Sequence, residues 1–529
     1  MIGYKDLRQH LKDLEEQNLV IRVDREINKD TELHPLVRWQ FRGGIPEDQR
    51  KAFMFTNVVD SKGRKYDIPV VVGAYAASER IYSLGLGCQP EEILSRWEYA
   101  LSHPVEPVMV QDGPVQEVVR TGAELAKLGL EEFPVPISTP GFDSGPFLTC
   151  ANWITKDPET GIRNMGNYRA HVKSPTRLGA RFDERQDALV HWGLCRDKGI
   201  PLQAAVVLGA PHPVACAAVV KVPYGTDELS VAGGLAGTPI RLVKCKTVDI
   251  EVPADAEIVI EGIIPTEYLE AEGPFGESHG YMDPRAYVPY FETTAITYRK
   301  NPIYTSWLSQ MTPSESSLIK RRGLQTTVYR YLKIERGIRS VTRVLMHEPL
   351  TNLYKFIIVQ MKDPPQDQVW MALYSAMTFS WRMGKIVIAV DEDIDPENLD
   401  AVMWAMACRM NPVEDVAVVG GRNKGHGPPF KLSGEMLPGI NDSALLINAT
   451  LKEPFPPVSL PKKEYMERAR EIWNELGLPA LKPESPWYGY SLGQWSEELE
   501  EEARLAVNGD YFITGEKLTR MRKKRDIVI

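Results

Sequence analysis

A long series of short strand-like segments fills the middle of this chain and constrains its fold more than any other feature. Between about 116 and 310, β-branched runs alternate with turn residues, as where Asn152-Trp-Ile-Thr-Lys156 precedes the turn Asp157-Pro-Glu-Thr-Gly161. A turn signal between two such runs predicts a β-hairpin. Further strands are predicted at 204–208, 215–222, 240–244 and 256–261, and one clear helix at 187–197. So many strands with so few helices predict a closed or split β-barrel.

The pattern differs on both sides of this stretch. Before it, Leu7, Leu11 and Leu14 mark one face of an amphipathic helix. Strands at 19–23, 53–58 and 68–73 and a helix at 90–102 follow. After about 316, strands predicted at 340–346, 356–360, 386–390 and 416–419 alternate with helices at 368–383 and 399–408, which predicts a smaller α/β domain. Charged amphipathic helices at 462–476 and 497–505 end the pattern.

These changes divide the chain into four predicted parts. Its 529 residues are too many for one ordinary core and suggest roughly two to four domains of about 100–200 residues each. We predict a multidomain α+β and α/β protein in which a split β-barrel (116–315) lies between an N-terminal α/β domain (1–115) and a C-terminal α/β domain (316–460). A helical tail (461–529) follows.

The composition is that of an ordinary globular protein. Apolar residues make up 43% and charged residues 25% of the chain, and the net charge of −9 comes from interspersed acidic and basic residues. This balance favours neither nucleic acid nor an anionic membrane as a partner. The cysteines lie far apart without a C-x-x-C pair, which is typical of reduced thiols. No apolar stretch reaches the ~18 residues of a membrane-spanning helix, and 1–23 lacks the layout of a signal peptide. We expect a soluble, cytoplasmic protein.

The segment Glu270-Ala-Glu272-Gly-Pro-Phe-Gly-Glu277-Ser-His279-Gly-Tyr281 carries the first candidate site. Its glycines and proline exclude a regular helix, so Glu272 and Glu277 belong to a loop whose two ends can approach closely. Two carboxylates that share one site repel each other, and burial can then keep one of them protonated near neutral pH as a proton donor. Taken on spacing alone, a solvated pair of loop carboxylates is the commoner outcome.

Two more segments hold candidate residues. Asn164-Met-Gly-Asn-Tyr-Arg169 follows the predicted hairpin turn, and Asp227-Glu228-Leu-Ser-Val-Ala-Gly-Gly234 is glycine-rich and is predicted to end a strand. The Arg169 guanidinium can bind a carboxylate or phosphate and can orient a glutamate. The alternatives are a surface arginine, a turn asparagine and an ordinary acid at a strand end. The chain has no dinucleotide-binding glycine fingerprint, P-loop, G-x-S-x-G elbow or H-E-x-x-H motif. A plain nucleophilic hydrolase or kinase is therefore unsupported.

Together these segments resemble the UbiD family of prenylated-FMN-dependent decarboxylases and carboxylases. The run from Val243 to Gly262 followed by Glu272-Gly-Pro-Phe-Gly-Glu277 is similar to the family signature, as are Asp143-Ser-Gly-Pro-Phe-Leu-Thr149 and the stretch from Asp157 to Arg169. All of them occur in the family's order, and the likeness runs from about residue 1 to 476. The resemblance implies that the split barrel binds FMN and that the C-terminal domain mediates oligomerisation.

The resemblance also implies roles for particular residues. The family's Glu-Arg-Glu network falls on Glu272, Arg169 and Glu277, with Glu277 as the acid that protonates the substrate carbon. Asn164 and Glu228 fall on two ligands of a divalent metal (manganese, with magnesium or iron as alternatives) that secures the flavin phosphate beside a potassium ion. The implied cofactor contacts are Asn164, Gly166, Asn167, Arg169, Gln186, Val220 and Glu228.

This sequence departs from the family pattern at two places. Where the family has a metal-binding histidine, this chain has Gln186-Asp187, so Asp187 becomes the expected third metal ligand, a hard oxygen donor that suits manganese or magnesium. His191, one helical turn on, is the alternative. The family's cofactor-contacting lysine is replaced by Ala444, and we expect either that Lys431 or Lys452 supplies that contact instead or that the contact is weaker.

The implied reaction is reversible, non-oxidative decarboxylation of an aromatic or α,β-unsaturated acid. Loss of CO2 from an sp2 carbon requires an electron sink, which prenylated FMN provides and ordinary side chains do not. The alternatives are a carboxylase of an activated aromatic compound, a non-catalytic subunit of such a complex, and an FMN reductase on a split barrel.

The partners that the resemblance implies are the acid, CO2, a flavin prenyltransferase that supplies the cofactor, and further copies of the chain in a dimer or hexamer. We expect the substrate pocket to involve 308–317, His279 and 420–439. Phenolic, heteroaromatic and polycyclic acids and aryl-CoA thioesters all stay open as substrates.

Overall fold

A computed structural model describes residues 6–182, 186–348, 355–380, 383–422 and 442–522. The N-terminal region begins with an amphipathic helix whose leucines are buried, as predicted. Its helices and strands are α1 (Leu7–Glu16), β1 (Val20–Val23), β2 (Ile27–Asn28), α2 (Leu33–Arg42), β3 (Ala52–Phe55), β4 (Val58–Val59), β5 (Lys65–Tyr66), β6 (Val70–Val72), α3 (Glu79–Gly85) and α4 (Ile93–Ser102).

The central region is rich in strands and carries three longer helices. Its elements are β7 (Val108–Met109), β8 (Val118–Thr121), α5 (Gly122–Lys127), β9 (Phe147–Leu148), β10 (Asn152–Lys156), β11 (Arg163–Asn167), β12 (Ala170–Ser174), β13 (Arg177–Ala180), α6 (Asp187–Asp197), β14 (Leu202–Leu208), α7 (His212–Ala217), α8 (Glu228–Ala236), β15 (Arg241–Lys244), β16 (Glu251–Pro253), β17 (Ile258–Ile264), β18 (Glu270–Glu272), β19 (Phe275–Gly276), β20 (Met282–Asp283), β21 (Ala286–Val288), β22 (Tyr290–Tyr298), β23 (Tyr304–Thr305) and α9 (Glu315–Arg330).

Within the described residues, nine of the central strands form one curled half-barrel sheet. Its order is β11-β10-β14-β17-β22-β13-β12-β9, and β8 pairs with β22. The predicted hairpin is β10 and β11, in which Trp153 pairs with Gly166 and Thr155 with Asn164. The predicted split barrel between two mixed regions is therefore confirmed, and the helix predicted at 187–197 is α6.

Two predictions in this region are wrong. Residues 215–222 are not a strand, because α7 covers their first part; Pro213 favours the first turn of a helix, and the surrounding Ala and Val run is apolar enough to be buried on every side. Glu228 does not end a strand but opens α8, since the Asp227 carboxylate accepts a hydrogen bond from the Leu229 N–H and caps the helix. Gly233 and Gly234 allow α8 to lie close to the backbone that follows α4, where an added Cβ would be 2.4 Å from the Val105 carbonyl oxygen.

The C-terminal region forms a sheet with helices on both faces, as the alternating pattern predicted. Its elements are β24 (Val341–Met346), β25 (Phe356–Met361), α10 (Gln366–Thr378), β26 (Ile386–Asp391), α11 (Leu399–Arg409), β27 (Val416–Arg422) and β28 (Asp442–Asn448). In the described ranges the strand order is β24-β25-β26-β28-β27. Apolar residues of α10 pack on one face of the sheet and those of α11 on the other.

Helix α9, which the sequence pattern did not predict, joins the central and C-terminal regions. Leu318 and Ile319 near its start belong to the hydrophobic core shared by the N-terminal and central regions. Leu324 and Val328, farther along the helix, belong to the core between α10 and the C-terminal sheet. One helix therefore contributes to both cores.

The tail contains α12 (Lys463–Glu475), α13 (Glu497–Val507) and α14 (Tyr511–Arg520), of which only the first two were predicted. None of the three helices has a buried residue. No helix in the described part of the chain combines the length and the apolarity needed to cross a lipid bilayer.

Candidate active site

Four charged side chains meet at one edge of the half-barrel: Arg169, Glu272, Glu277 and Asp283, here called the carboxylate cluster. Arg169 lies between β11 and β12. Its Nε and Nη2 donate to the two carboxylate oxygens of Glu272 over 3.0 and 3.1 Å. Its Nη1 donates to Glu277 and, over 3.5 Å, to Asp283. The structure thus brings together the predicted Arg169, Glu272 and Glu277, and it adds Asp283, which sequence reasoning missed.

The glutamates lie on a tightly packed segment, as the glycines suggested, although Glu272 ends the strand β18 and only Glu277 lies in a loop, after β19. Gly273 has a φ of +87°, a conformation that other residues rarely adopt. Gly276 packs tightly, since an added Cβ would lie 2.8 Å from Gln310 and 2.9 Å from Thr139. The Asp143 carboxylate accepts hydrogen bonds from the N–H groups of Gly276 and Thr139. Neighbouring segments therefore fix the backbone next to Glu277.

The carboxylates of the cluster differ in their access to solvent. The side chains of Glu272, Asp283 and Glu277 are 0%, 8% and 29% exposed. Burial lowers the pKa of Arg169, but the carboxylates outweigh it and hold that pKa above its ordinary value. Arg169 is a permanent cation, and Glu277 is the acid of the cluster that can reach another molecule.

A second group of polar residues lines an open cleft beside the cluster. The cleft contains about 970 Å³ of empty space, counted out to the solvent at its mouth. The residues that line it are Asn164, Met165, Gly166, Asn167, Tyr168, Gln186, Asp187, Ala218, Val219, Val220, Lys221, Val222, Glu228, Lys320, Leu324, Ser380 and Met383. Every cofactor contact implied by the resemblance lines this cleft except Arg169, which lies in the cluster.

Three oxygen-bearing side chains come together in the cleft: Asn164 on β11, Asp187 at the start of α6 and Glu228 at the start of α8. Glu228 accepts a hydrogen bond from the Met165 N–H over 2.7 Å. Burial raises the pKa of Glu228 to about 8, and the nearby Asp187 adds to this shift. Burial also raises the pKa of Asp187, against the opposing charge of Lys221. The buried Nδ2 of Asn164 has no hydrogen-bond partner among the described residues.

These donors fit a hard divalent cation. Two carboxylates and an amide oxygen suit manganese or magnesium, and a cation would offset the repulsion that the two buried acids exert on each other. In the described ranges, no three His, Cys, Asp or Glu side chains cluster closely enough to hold a metal by themselves. The candidate ion would therefore need the amide and the ligand's own oxygens to complete its coordination.

The structure separates the two candidates for the third metal ligand. Asp187 lines the cleft. His191 is buried, and its Nδ1 lies 2.9 Å from the Thr155 hydroxyl in a hydrogen bond. Burial lowers the pKa of His191 to about 4. The geometry favours Asp187, and His191 instead joins α6 to β10.

The cleft has its own cations, which the sequence did not signal. Lys221 and Lys320 line it. The expectation for Lys452 is wrong, because its Nζ pairs with Asp415 over 2.7 Å and donates to the Arg409 carbonyl. Lys431 lies outside the described residues. Ala444 lies on β28, is 1% exposed and belongs to the core between α10 and the C-terminal sheet. It does not line the cleft.

The expected substrate-pocket residues lie around the cluster, although most of 420–439 falls outside the described residues. Arg38 of α2 donates to the carbonyl oxygens of Ser309 and Met311 and to the Gln310 side chain, so the N-terminal region holds the loop before α9. His279 lies 3.0 Å from Asp283 in a hydrogen bond. Gln310 packs against Gly276 and Met311 against Gly280, so the 308–314 loop and His279 lie beside the segment that carries Glu277.

Comparisons with known proteins agree over most of the chain. The family model for the 3-octaprenyl-4-hydroxybenzoate carboxy-lyase Rift-related domain (UbiD) matches residues 107–311. Models for the N-terminal and C-terminal domains of the same carboxy-lyase match residues 11–101 and 325–426.

Similar whole proteins are known from archaea and bacteria. An uncharacterized protein of Archaeoglobus fulgidus is 29% identical over 441 residues, 79% of this chain and 87% of its own. Another, of Aquifex aeolicus, is 29% identical over 510 residues, 90% of this chain and 99% of its own.

Two solved structures are similar across nearly their whole length. The UbiD-class enzyme HmfF from Pelotomaculum thermopropionicum, in an evolved dimeric form with prFMN, is 28% identical with a TM-score of 0.75 and covers 88% of this chain and 100% of that one. The vanillic acid decarboxylase of Sedimentibacter hydroxybenzoicus in its closed form is 26% identical with a TM-score of 0.77 and covers 90% of this chain and 99% of that one.

Proposed function

Because this chain belongs to the UbiD family of carboxy-lyases, we propose that it decarboxylates an aromatic or α,β-unsaturated acid, with Glu277 as the proton donor to the carbon that loses CO2. The general activity, a UbiD-type carboxy-lyase that uses a flavin, follows from the family and from its solved relatives. The roles of individual residues are our proposal. One observation carries it: three carboxylates converge on the single guanidinium of Arg169, and Glu277 is the exposed one.

The charges of the cluster support this assignment. Among the described residues, the Arg169 guanidinium faces three carboxylates, and Arg181 lies 3.9 Å from Asp283. A proton held within such a group reduces the repulsion among its acids. Glu272 is bound to Arg169 by two hydrogen bonds and is fully buried. Glu277 is bound to Arg169 through Nη1 alone, and its other oxygen accepts a hydrogen bond from the Ser278 N–H over 3.2 Å. Glu277 is therefore the acid that can both hold a proton and deliver it.

The cleft supports a flavin phosphate site next to this acid. Prenylated FMN supplies, when bound, the electron sink for loss of CO2. Asn164, Asp187 and Glu228 would hold the divalent ion, manganese first and magnesium or iron as alternatives. Lys221 and Lys320 would neutralise the phosphate, since a buried dianion needs fixed positive charge. Potassium, the prenyltransferase partner and the dimer or hexamer stay predictions.

The chain's own residues orient the acid. Arg169, bound by Glu272 on one edge, holds Glu277 at the mouth of the cluster. Hydrogen bonds from Gly276 and Thr139 to Asp143 fix the backbone that carries Glu277. Proton transfer from a positioned acid contributes about 10²–10⁴-fold to a rate, which is the share that we assign to Glu277.

The test begins with protein co-expressed with a flavin prenyltransferase. Mass spectrometry identifies the released cofactor, and elemental analysis identifies the metal. CO2 release is then measured with a panel of acids that includes vanillic acid, the substrate named for the Sedimentibacter relative. We expect prenylated FMN, and activity on at least one aromatic or unsaturated acid. Incubation with bicarbonate and the decarboxylated product tests for the carboxylase direction.

The variant Glu277→Gln tests the acid. Its kcat should fall by about 10²–10⁴-fold while the bound prenylated FMN stays at the wild-type amount. The matched control is Glu270→Gln, since the Glu270 carboxylate pairs with Lys173 and Arg177 instead of Arg169. Wild-type turnover by Glu277→Gln would exclude Glu277 as the donor. Inactivity of the loaded wild-type chain on every acid would favour the non-catalytic subunit.

A further inference from the structure

Asp283 occupies the side of Arg169 that Glu277 also uses. Its Oδ2 lies 3.5 Å from Arg169 Nη1, the same atom that donates to Glu277. Its Oδ1 lies 3.0 Å from His279 Nε2. Counted over the whole residue, Asp283 is 5% exposed, and it lies at the end of β20. Strand β20 pairs with β19, which ends immediately before Glu277. The residue is thus built into the hairpin that carries the proposed acid.

The hydrogen bonds of His279 fix which ring nitrogen carries the hydrogen. The Tyr281 N–H donates to Nδ1 over 3.2 Å, so Nδ1 accepts. Nε2 therefore carries the hydrogen and donates it to Asp283. His279 is in this way oriented by the backbone of its own loop, and it presents one donor to Asp283.

These contacts keep Asp283 in its charged form. Burial raises the pKa of Asp283, but the hydrogen bond from His279 and the charges of Arg169 and Arg181 outweigh burial and hold this pKa below its ordinary value. Asp283 is a fixed negative charge beside the acid that has to keep and release a proton.

Charged and titratable groups face the cluster from each element packed around it. Burial lowers the pKa of His171 to about 4, so this histidine adds no positive charge near pH 7. Burial raises the pKa of Asp143 to about 6, against hydrogen bonds from Thr139 and Gly276. The full set is Asp143 before β9, Arg169 before β12, His171 and Lys173 on β12, Arg181 after β13, Glu272 on β18, and Glu277, His279, Asp283 and Arg285 around the β19–β20 hairpin.

We propose that Asp283, held by His279, is a positioning residue for proton transfer. This proposal rests on the function proposed above, in which Glu277 is the acid. Asp283 does two things: it keeps Arg169 Nη1 bound when Glu277 turns toward the substrate, and its negative charge opposes a second negative charge at the same guanidinium nitrogen. Arg169 then keeps one orientation throughout, with Glu272 on Nε and Nη2 and Asp283 on Nη1.

The step balances within these groups. The C–C bond to the carboxylate breaks, CO2 leaves, and the bonding electron pair stays with the substrate carbon, where prenylated FMN would delocalise it when bound. That carbon takes the proton as the O–H bond of Glu277 breaks, and the Glu277 carboxylate returns to Arg169. Solvent restores its proton, because Glu277 is the exposed acid of the cluster.

The test compares Asp283→Asn with two variants of His279 in the cofactor-loaded enzyme, using the most active acid of the panel. Asparagine at 283 keeps the shape but removes the charge. Glutamine at 279 can place its amide N–H where Nε2 lies and still donate to Asp283. Asparagine at 279 can only replace Nδ1, which faces the Tyr281 N–H. Glu270→Gln again controls for the loss of a nearby carboxylate outside the cluster.

We expect Asp283→Asn to lower kcat at pH 8 by about tenfold or more, with KM changed less than about threefold. The basic limb of the pH profile of kcat should move by about one pH unit toward lower pH. His279→Asn should also lower kcat and move the pH profile toward lower pH. His279→Gln should retain more activity than His279→Asn. The substrate-free readout is infrared spectroscopy. The protonated-carboxyl band that Glu277→Gln removes should be lost at lower pH in Asp283→Asn than in the wild type.

The outcomes separate this inference from the proposed function. If Asp283→Asn keeps the wild-type pH profile and infrared titration while Glu277→Gln is inactive, the inference is wrong and the function stands. A loss of rate explained by lower cofactor content or lower melting temperature, with an unchanged pH profile, also overturns it. Full activity of Glu277→Gln refutes the function itself.

Discussion

Replacing Arg169 with methionine should make the protein's stability strongly dependent on pH. Both oxygens of Glu272 are bonded to Arg169, at 3.0 and 3.1 Å, and the Glu272 side chain is 0% exposed. Two charge-assisted hydrogen bonds of about 1.5–3 kcal/mol each are lost. Leaving one partner of a buried ion pair alone costs about 3–5 kcal/mol. We therefore expect Arg169→Met to lose about 3–5 kcal/mol of unfolding free energy at pH 8.

The loss should shrink as the pH falls. In the variant, burial favours the acid form of Glu272, so the folded chain keeps a proton that the unfolded chain releases above about pH 4.3. The folded state then binds more protons than the unfolded state, and its stability decreases as the pH rises above that value. Near the ordinary titration range of glutamate, most of the penalty should be absent.

Urea unfolding followed by tryptophan fluorescence measures this on flavin-free protein at pH 5 and pH 8. With an m-value of about 3 kcal/mol/M, the midpoint at pH 8 should fall by about 1–2 M. The double variant Arg169→Met/Glu272→Met removes both charges and should recover most of the stability, because a buried ion pair is often replaced by apolar residues at little cost. A loss below about 1 kcal/mol at pH 8, or an equal loss at both pH values, would refute the claim that Arg169 neutralises Glu272.

Two further predictions concern the cleft. Asp187→Asn should lower the metal content and the affinity for FMN by about tenfold or more, whereas His191→Asn, which can keep the hydrogen bond to Thr155, should leave both near wild type. Elemental analysis measures the metal content, and fluorescence titration measures the affinity for FMN. A larger loss in His191→Asn than in Asp187→Asn would make His191 the ligand. FMN binding should weaken by about tenfold, a loss of about 1.4 kcal/mol, in each of the variants Lys221→Met and Lys320→Met. The affinity for riboflavin, which lacks the phosphate, should not change. An equal loss of affinity for both flavins would assign these lysines to another role.

Local sequence signals predicted the fold well where the hydrophobic periodicity or the turn residues were distinct. The hairpin of β10 and β11 has a turn at Asp157–Gly161 between two strands, and α6 has the bounds that its pattern predicted. Around 215–222 the run of Ala and Val is apolar on every side, so periodicity does not distinguish a buried helix from a buried strand. Helix α9 was missed for a related reason: it is buried along most of its length but presents Ser, Thr and Gly to its neighbours, so it lacks an apolar stripe.

The candidate site depends on contacts between distant residues, and local patterns carry little information about these. Arg169 and Glu272 are 103 residues apart in sequence, and only the family resemblance predicted that they belong together. No local pattern indicated Asp283, and its role depends on the position that the β19–β20 hairpin gives it. Lys221 and Lys320 reach the cleft from the segment after α7 and from α9, and neither lies in a motif that indicates a phosphate site.

The position of the cleft between two hydrophobic cores has a consequence for cooperativity. Val220 on its wall belongs to the core of the N-terminal and central regions, whereas Leu324 and Met383 belong to the C-terminal core. A ligand that contacts both walls binds only when both cores are folded. Its binding free energy, about 2.7 kcal/mol at a concentration 100 times its Kd, is then lost when either core unfolds. Ligand binding therefore couples the unfolding of the two cores and raises the free energy needed to unfold either one alone.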